Sequence, residues 1–198
     1  MSATPVKFVK QPKFGLAFDC ETSGAYWGNL SQSVKDFQVL QWAFIVFEMS
    51  TLKEVDRLFI NVKFDKRYQW TDGAAKVHGL TIPYLEANGV SEYDAAEAIG
   101  NLILKYFGPT DEINALGHNV DFDIKFLSAL MEKFGVPIKF SHRKFDTCSA
   151  GWIALGVYNS NELFEMCGMP ERKFHNAMED IEYTLEAARI IRSLASGI

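Results

Sequence analysis

Two acidic residues, Asp19 and Glu21, flank Cys20 at the end of a short apolar run that is typical of a buried strand. Because side chains alternate along a strand, both carboxylates project to the same side of the chain. Their repulsion is costly unless a cation lies between them, so the pair is a candidate metal site. Taken alone, the pair can equally be a solvated strand end.

A third carboxylate, that of Asp123, stands on the apolar face of a predicted helix. Leu127, Leu130 and Phe134 follow it at helical spacing, so the side chain should turn inward with them. A buried ionised carboxylate without a partner is strongly disfavoured, which indicates a metal ion or a buried partner nearby. Asp121 does not share this stripe and is expected to face solvent or to cap the helix.

The last predicted helix adds a fourth acid and a histidine. Asp180 begins a stripe of small and apolar side chains that suits close packing against a sheet, and the stripe continues through Thr184, Ala187 and Ile191. His175 stands five residues before Asp180, near enough to share one cavity with it. Judged alone, Asp180 is an exposed acid and His175 a capping residue, so their catalytic interpretation depends on the other acids.

Five sequence motifs resemble those of one family, the DEDDh 3′→5′ exonucleases, and follow one another along the chain in the family's order. The main matches are FDCETSG, GHNVDFDIKFL and HNAMED, which resemble the family motifs D-x-E-T-x-G, H-N-x-x-F-D and H-x-A-x-x-D. Two lesser matches fall in the right order among them, KVHGLT at 76–81 and FDTCSAG at 145–151. One such motif is weak evidence, whereas five in order make coincidence improbable.

The resemblance covers about residues 14–195 and implies a chemistry. It implies hydrolysis of phosphodiester bonds at a free 3′ end of nucleic acid, with two divalent cations, Mg²⁺ or Mn²⁺. The implied metal ligands are Asp19, Glu21, Asp123 and Asp180. His175 is implied to accept the proton of the attacking water, a task that suits an imidazole. The implied substrate contacts are Thr22, His78 and Phe122. A core aromatic is an equally good interpretation of Phe122.

The order of predicted strands and helices indicates an α/β fold in a single domain spanning residues 1–198, with its core at about 14–195. The predicted strands are 14–19, 39–47, 55–62 and 113–116. The predicted helices are 91–107, 120–134 and 176–194. The resemblance implies a ribonuclease H-like arrangement, in which three antiparallel strands and then parallel strands form a mixed sheet flanked by helices.

Charge and cysteine content limit the class of protein. The formal net charge of −5 argues against a protein that coats duplex nucleic acid, and much less against an enzyme whose bound cations supply positive charge. Three cysteines without CxxC spacing argue against a disulfide framework or a zinc ribbon and favour the cytoplasm. No secretion signal and no apolar run of membrane-spanning length are found, so no membrane partner is expected.

Two alternatives stay open at this point. The polymer is expected to be DNA or single strands, but a 3′→5′ exoribonuclease or oligoribonuclease has the same motifs, because a contact to the 2′-hydroxyl leaves no sequence signature. A non-catalytic binding module with this fold is expected to lack an acid or the histidine, and this chain keeps all five. Two departures from the family are Gln41, where many relatives carry an acid, and a polar insertion at 29–37.

Overall fold

A five-stranded sheet forms the centre of the part of the chain that the computed structural model describes, residues 12–195. Its strands are β1 (Phe14–Thr22), β2 (Val39–Glu48), β3 (Glu54–Asn61), β4 (Ala115–Gly117) and β5 (Phe145–Asp146). They lie in the order β3-β2-β1-β4-β5. β1 pairs with β2 and β2 with β3 in antiparallel fashion, whereas β4 runs parallel to both β1 and β5. The predicted mixed sheet is therefore confirmed.

Helices cover both faces of this sheet. Within the described residues they are α1 (Leu30–Asp36), α2 (Asp72–His78), α3 (Ile82–Asn88), α4 (Glu92–Tyr106), α5 (Asp121–Lys133), α6 (Thr147–Leu155), α7 (Ser160–Met166) and α8 (Ala177–Ala195). The three predicted helices correspond to α4, α5 and α8, and their ends agree to within one residue. The five shorter helices were not predicted. One of them, α1, occupies the polar insertion, where the Asn29 side chain caps its first turn.

Local sequence explains where the long helices start and stop. The hydroxyl of Ser91 accepts the backbone N–H of Asp94 at 3.1 Å, which is the N-terminal cap that these residues predict for α4. Gly135 follows the end of α5 with a φ of 68°, a conformation that glycine adopts without strain.

The alternation of side chains along β1 divides the interior into two cores. Phe18 and Cys20 pack into the larger core with α4 and α5, whereas Ala17 packs on the opposite face with α8. The same alternation places the side chains of Asp19 and Glu21 on the α8 face. The sheet thus directs both acids toward the helix that carries Asp180.

Some expectations lie beyond this description. Residues 1–11 and 196–198 fall outside the described residues, so the single domain spanning 1–198 stays a prediction. Among helices in the described range, none has both the length and the apolar character that crossing a membrane requires.

Candidate active site

A cavity of about 520 Å³ opens where β1 ends, between the starts of α5 and α8. All of the residues that the sequence analysis assigned to the site line it. They are Asp19, Glu21, Thr22, His78, Phe122, Asp123, His175 and Asp180. The tertiary structure therefore brings together side chains from β1, α2, α5, α8 and the segment before α8.

The end of β1 is shaped so that its acids enter this cavity. Glu21 lies opposite Gln41 of β2, and the register shifts by one residue between Glu21 and Thr22. Such a bulge bends a strand and re-aims its side chains, and bulges are common beside active sites. Thr22 is buried, and its hydroxyl donates to the Gly24 carbonyl at 3.0 Å. The turn that follows the two acids is thus held by its own hydrogen bonds.

Asp123 ties the start of α5 directly to β1. Its Oδ1 accepts the backbone N–H of Cys20 at 2.9 Å, and the side chain is buried. Asp121 is instead exposed and forms an ion pair with Lys144. Of the two aspartates, only Asp123 contributes a carboxylate to the cavity.

Asp180 and His175 face each other at the start of α8. Nδ1 of His175 lies 3.1 Å from Oδ2 of Asp180. The backbone N–H of His175 donates to the Val77 carbonyl at 3.0 Å, which ties the segment before α8 to the end of α2. The imidazole is therefore placed from two sides, although its side chain remains 34% exposed.

The four carboxylates create a strongly unfavourable cluster of negative charge. Burial, followed by the charges of Asp123, Glu21 and Asp180, raises the pKa of Asp19 well above its ordinary value. Burial and the nearby acids raise the pKa of Glu21 to about 8. Burial raises the pKa of Asp123 to about 7, although the hydrogen bonds from Cys20 favour its ionised form. With no cation bound, Asp19 and Glu21 therefore tend to hold protons at neutral pH.

The donor set fits a hard divalent cation. One ligand atom each from Glu21, His175 and Asp180 lies within 4.8 Å of the others. Buried carboxylate oxygens are the ligands that Mg²⁺ and Mn²⁺ prefer, and a cation between them relieves the repulsion that raises their pKa values. The cavity therefore has the chemistry of a cation site, with Asp19 and Asp123 beside the three clustered groups.

His78 presents a neutral N–H donor to the cavity. Its Nδ1 accepts the backbone N–H of Leu80 at 2.9 Å, so the proton of the neutral ring is on Nε2. Burial lowers the pKa of His78 to about 4, although the backbone of Thr22 favours the protonated form. Within the described residues, Nε2 is buried and no acceptor, the nearby Thr22 backbone included, meets it with hydrogen-bond geometry. A buried donor of this kind is costly unless a ligand supplies an acceptor.

Solved structures of exonuclease I share the fold of this chain. E. coli exonuclease I with zinc and single-stranded DNA is 20% identical, with a TM-score of 0.75 over 92% of this chain and 41% of that chain. E. coli exonuclease I with a dT13 oligonucleotide is 19% identical, with a TM-score of 0.74 over 94% of this chain and 42% of that chain. A product-bound exonuclease I is 19% identical, with a TM-score of 0.71 over 92% of this chain and 44% of that chain.

The fold is ribonuclease H-like. At this level of identity the likeness establishes the fold alone, and the chain spans about two fifths of the length of the structures it matches. No protein-family model and no curated protein matches the chain. The predicted fold class is confirmed, and the predicted exonuclease subfamily stays a prediction.

Within this ribonuclease H-like fold, Asp146 at the end of β5 fixes the start of α5. Its carboxylate accepts the backbone N–H groups of Asn119 at 3.1 Å and Val120 at 2.9 Å. It also accepts the N–H of Cys148 at 2.8 Å and so caps α6. The FDTCSAG motif therefore acts on the site through the backbone, because it holds the helix that carries Asp123.

His118 contributes to the same support. One ring nitrogen lies 3.0 Å from the Thr147 hydroxyl, and the other lies 3.0 Å from the Tyr158 carbonyl. Because both ring nitrogens have partners, the imidazole is held between β4, α6 and the segment before α7.

Among the other side chains that line the cavity, Trp27 and Arg172 were not selected by the sequence analysis. Trp27 is 73% exposed, and its ring stacks on Phe122 with centroids 5.1 Å apart and an interplanar angle of 27°. The position of Trp27 just after the FDCETSG motif was the one feature of the sequence that could have indicated its place at the cavity. Arg172 lies in the segment before α8 and forms an ion pair with Asp180. No periodic pattern covers that segment, so spacing could not have singled out Arg172.

Proposed function

We propose that the protein is a metal-dependent 3′→5′ exonuclease that releases nucleoside monophosphates from nucleic acid. The observation that carries this proposal is the convergence of four carboxylates and one imidazole, from distant parts of the chain, in a single cavity. The likeness to structures of exonuclease I bound to single-stranded DNA supports it.

The four acids would hold two divalent cations, Mg²⁺ or Mn²⁺. The ligands would be Asp19, Glu21, Asp123 and Asp180. Divalent cations there supply positive charge that stabilises the attacking and leaving oxygens of a phosphodiester during displacement. The backbone of β1 and the bond from Cys20 to Asp123 keep the carboxylates together while substrate enters.

His175 would act as the general base. Its Nδ1 faces a carboxylate oxygen of Asp180 and therefore carries the proton of the neutral ring. Nε2 then presents a lone pair, which is the atom that accepts the proton from the attacking water. The same carboxylate stabilises the imidazolium that forms, and the exposed edge of the ring lets the proton pass to solvent.

The substrate contacts would distribute along the cavity wall. The Nε2–H of His78 suits an oxygen at the 3′ end, because it is a neutral donor that is buried without a partner in the described structure. The stacked rings of Trp27 and Phe122 suit a base of any sequence, since every base has an aromatic face. Thr22 would contact the terminal nucleotide beside the acids.

Single-stranded DNA is the proposed substrate, because it is the ligand in the matched structures and an exposed tryptophan stacks most readily on unpaired bases. The partner is therefore nucleic acid with a free 3′ end. We also place the protein in the cytoplasm, where its three free cysteines would stay reduced.

A digestion panel tests the proposal. 5′-labelled single- and double-stranded DNA and RNA are incubated with Mg²⁺, Mn²⁺ or EDTA, and the products are sized. We expect shortening from the 3′ end of single-stranded DNA, with release of monophosphates and no activity in EDTA. Equal or greater shortening of RNA would reassign the enzyme as an exoribonuclease, and no cleavage of any substrate would refute the nuclease proposal.

A matched pair of variants makes the test specific to the site. Asp123→Asn removes a carboxylate from the cavity, whereas Asp121→Asn removes an exposed one two residues away on the same helix. Activity should be lost in Asp123→Asn and kept in Asp121→Asn. Equal activity in the two variants would contradict the assignment of Asp123.

A further inference from the structure

Arg172 is a buried cation beside the proposed metal ligands. Its side chain is 3% exposed, and its Nη1 donates to Oδ1 of Asp180. Burial of a charged guanidinium costs free energy unless its N–H groups have hydrogen-bond partners. The other contacts of Arg172 therefore show which groups stabilise it in this position.

Three groups outside the acidic cluster hold the guanidinium. Nη2 donates to Oδ1 of Asn161 and lies 3.4 Å from the Ser160 hydroxyl. The plane of the group lies over the Phe164 ring, with Cζ 4.8 Å from the centroid. All three belong to the start and middle of α7, so this helix fixes the guanidinium independently of Asp180.

The two oxygens of Asp180 therefore have different roles. Oδ1 is engaged by Arg172, and Oδ2 lies 3.1 Å from Nδ1 of His175. A carboxylate oxygen has two lone-pair positions, so Oδ2 keeps one after its bond to His175. Because α7 fixes the guanidinium, the hydrogen bond from Nη1 holds Oδ1 in place and leaves Oδ2 on the side of His175.

We propose that Arg172 is a positioning residue, which orients the Asp180 carboxylate so that Oδ2 is presented to a cation. This inference rests on the proposed function, because it takes Asp180 to be a metal ligand. The guanidinium also reaches the other acids electrostatically, since its charge opposes the rise in the pKa values of Asp19 and Glu21.

The test measures Mn²⁺ affinity directly, by electron paramagnetic resonance of free Mn²⁺ during titration. In Arg172→Gln the carboxylate can rotate, and the dissociation constant should rise about 10-fold or more, the usual scale for a group that orients a metal ligand. Arg57→Gln is the matched control. Arg57 also pairs with an acid of α8, Glu182, but this ion pair lies at the exposed surface. The Mn²⁺ affinity of Arg57→Gln should change by less than about twofold.

A second variant keeps the charge and loosens only its support. Asn161→Ala removes an exposed partner of Arg172, so the protein should stay folded while Mn²⁺ affinity falls to a smaller extent. It stands in for Arg172→Gln if near-ultraviolet circular dichroism shows that variant to be unfolded. Arg172→Lys keeps the charge without the planar fork and should not restore the affinity.

The outcomes separate this inference from the proposed function. Absence of Mn²⁺ binding by the wild-type protein would count against the metal site as a whole. Wild-type binding together with equal or tighter binding by folded Arg172→Gln would overturn only the positioning role, and tighter binding would mean that Arg172 competes with the cation. A loss of unfolding free energy in metal-free Arg172→Gln, with unchanged Mn²⁺ affinity, would likewise overturn it.

Discussion

Oε1 of Gln41 accepts the backbone N–H of Ala177 at 2.9 Å. The amide is buried in β2, its Nε2 donates to Asn61 at 2.9 Å, and Ala177 is the first residue of α8. Gln41, which departs from the motif pattern that the sequence resembles, thus fixes the helix that carries Asp180, and it does so with a neutral side chain directly opposite Glu21.

Gln41→Ala should destabilise the protein and lower its activity. The change leaves the buried N–H of Ala177 without its acceptor, which costs about 1–3 kcal/mol of unfolding free energy. Urea unfolding measures the loss, and steady-state cleavage should show a lower kcat because His175 and Asp180 shift with the helix. Gln32→Ala, at a half-buried side chain on α1 that donates to Asp36 on the same helix, is the control. An unfolding free energy equal to that of the control would contradict the capping role.

His175→Ala separates a base from a metal ligand. If His175 is a base, its replacement should lower kcat by about 10²-fold or more and change Mn²⁺ affinity little. The proximity of its ring to Glu21 and Asp180 makes the affinity measurement necessary. His142→Ala, at an exposed histidine outside the cavity lining, serves as the control. A parallel loss of metal binding would make His175 a ligand instead.

The stability of the metal-free protein should fall as pH rises. In the folded protein the pKa of Glu21 is raised to about 8 and that of Asp123 to about 7. In the unfolded chain both carboxyl groups have their ordinary, lower pKa values and so release their protons at lower pH. The folded state therefore binds more protons in this window, so unfolding free energy decreases from about pH 4 to about pH 8. Saturating Mg²⁺ should remove the decrease, because bound cations favour the ionised carboxylates.

Thermal unfolding in EDTA checks this pH dependence against Glu21→Gln. The variant cannot ionise at this position, so its melting temperature should exceed that of the wild type by more at about pH 8 than at about pH 5. The same difference at both pH values would show that Glu21 is not the responsible group.

Trp27→Ala should weaken the binding of single-stranded DNA. Loss of one stacked base typically costs about 1–3 kcal/mol, so the dissociation constant should rise about 5- to 150-fold. Fluorescence anisotropy with a labelled oligonucleotide, in Ca²⁺ to prevent turnover, measures it. Trp152→Ala removes a comparably exposed tryptophan, 63% exposed on α6 and outside the cavity lining, and should bind normally. Equal affinities in the two variants would exclude stacking on Trp27.

The sequence by itself determined the features that depend on local periodicity. Alternation along β1 put Asp19 and Glu21 on one face, and the stripe on α5 turned Asp123 inward and Asp121 outward. The long strands and helices were predictable for the same reason, since an apolar face repeats over enough residues to be recognised. The short helices were not, because seven to nine residues rarely show a distinct period.

Only the tertiary structure decided which residues support the acids. Gln41 meets Ala177, and Arg172 meets Asp180, through contacts that no spacing encodes, because one is a cap from a distant strand and the other leaves an irregular segment. The stacking of Trp27 on Phe122 likewise depends on how a loop folds over α5. Local sequence thus chose which groups carry charge, and long-range packing set their orientation, because a side chain's partners depend on where the backbone places its neighbours.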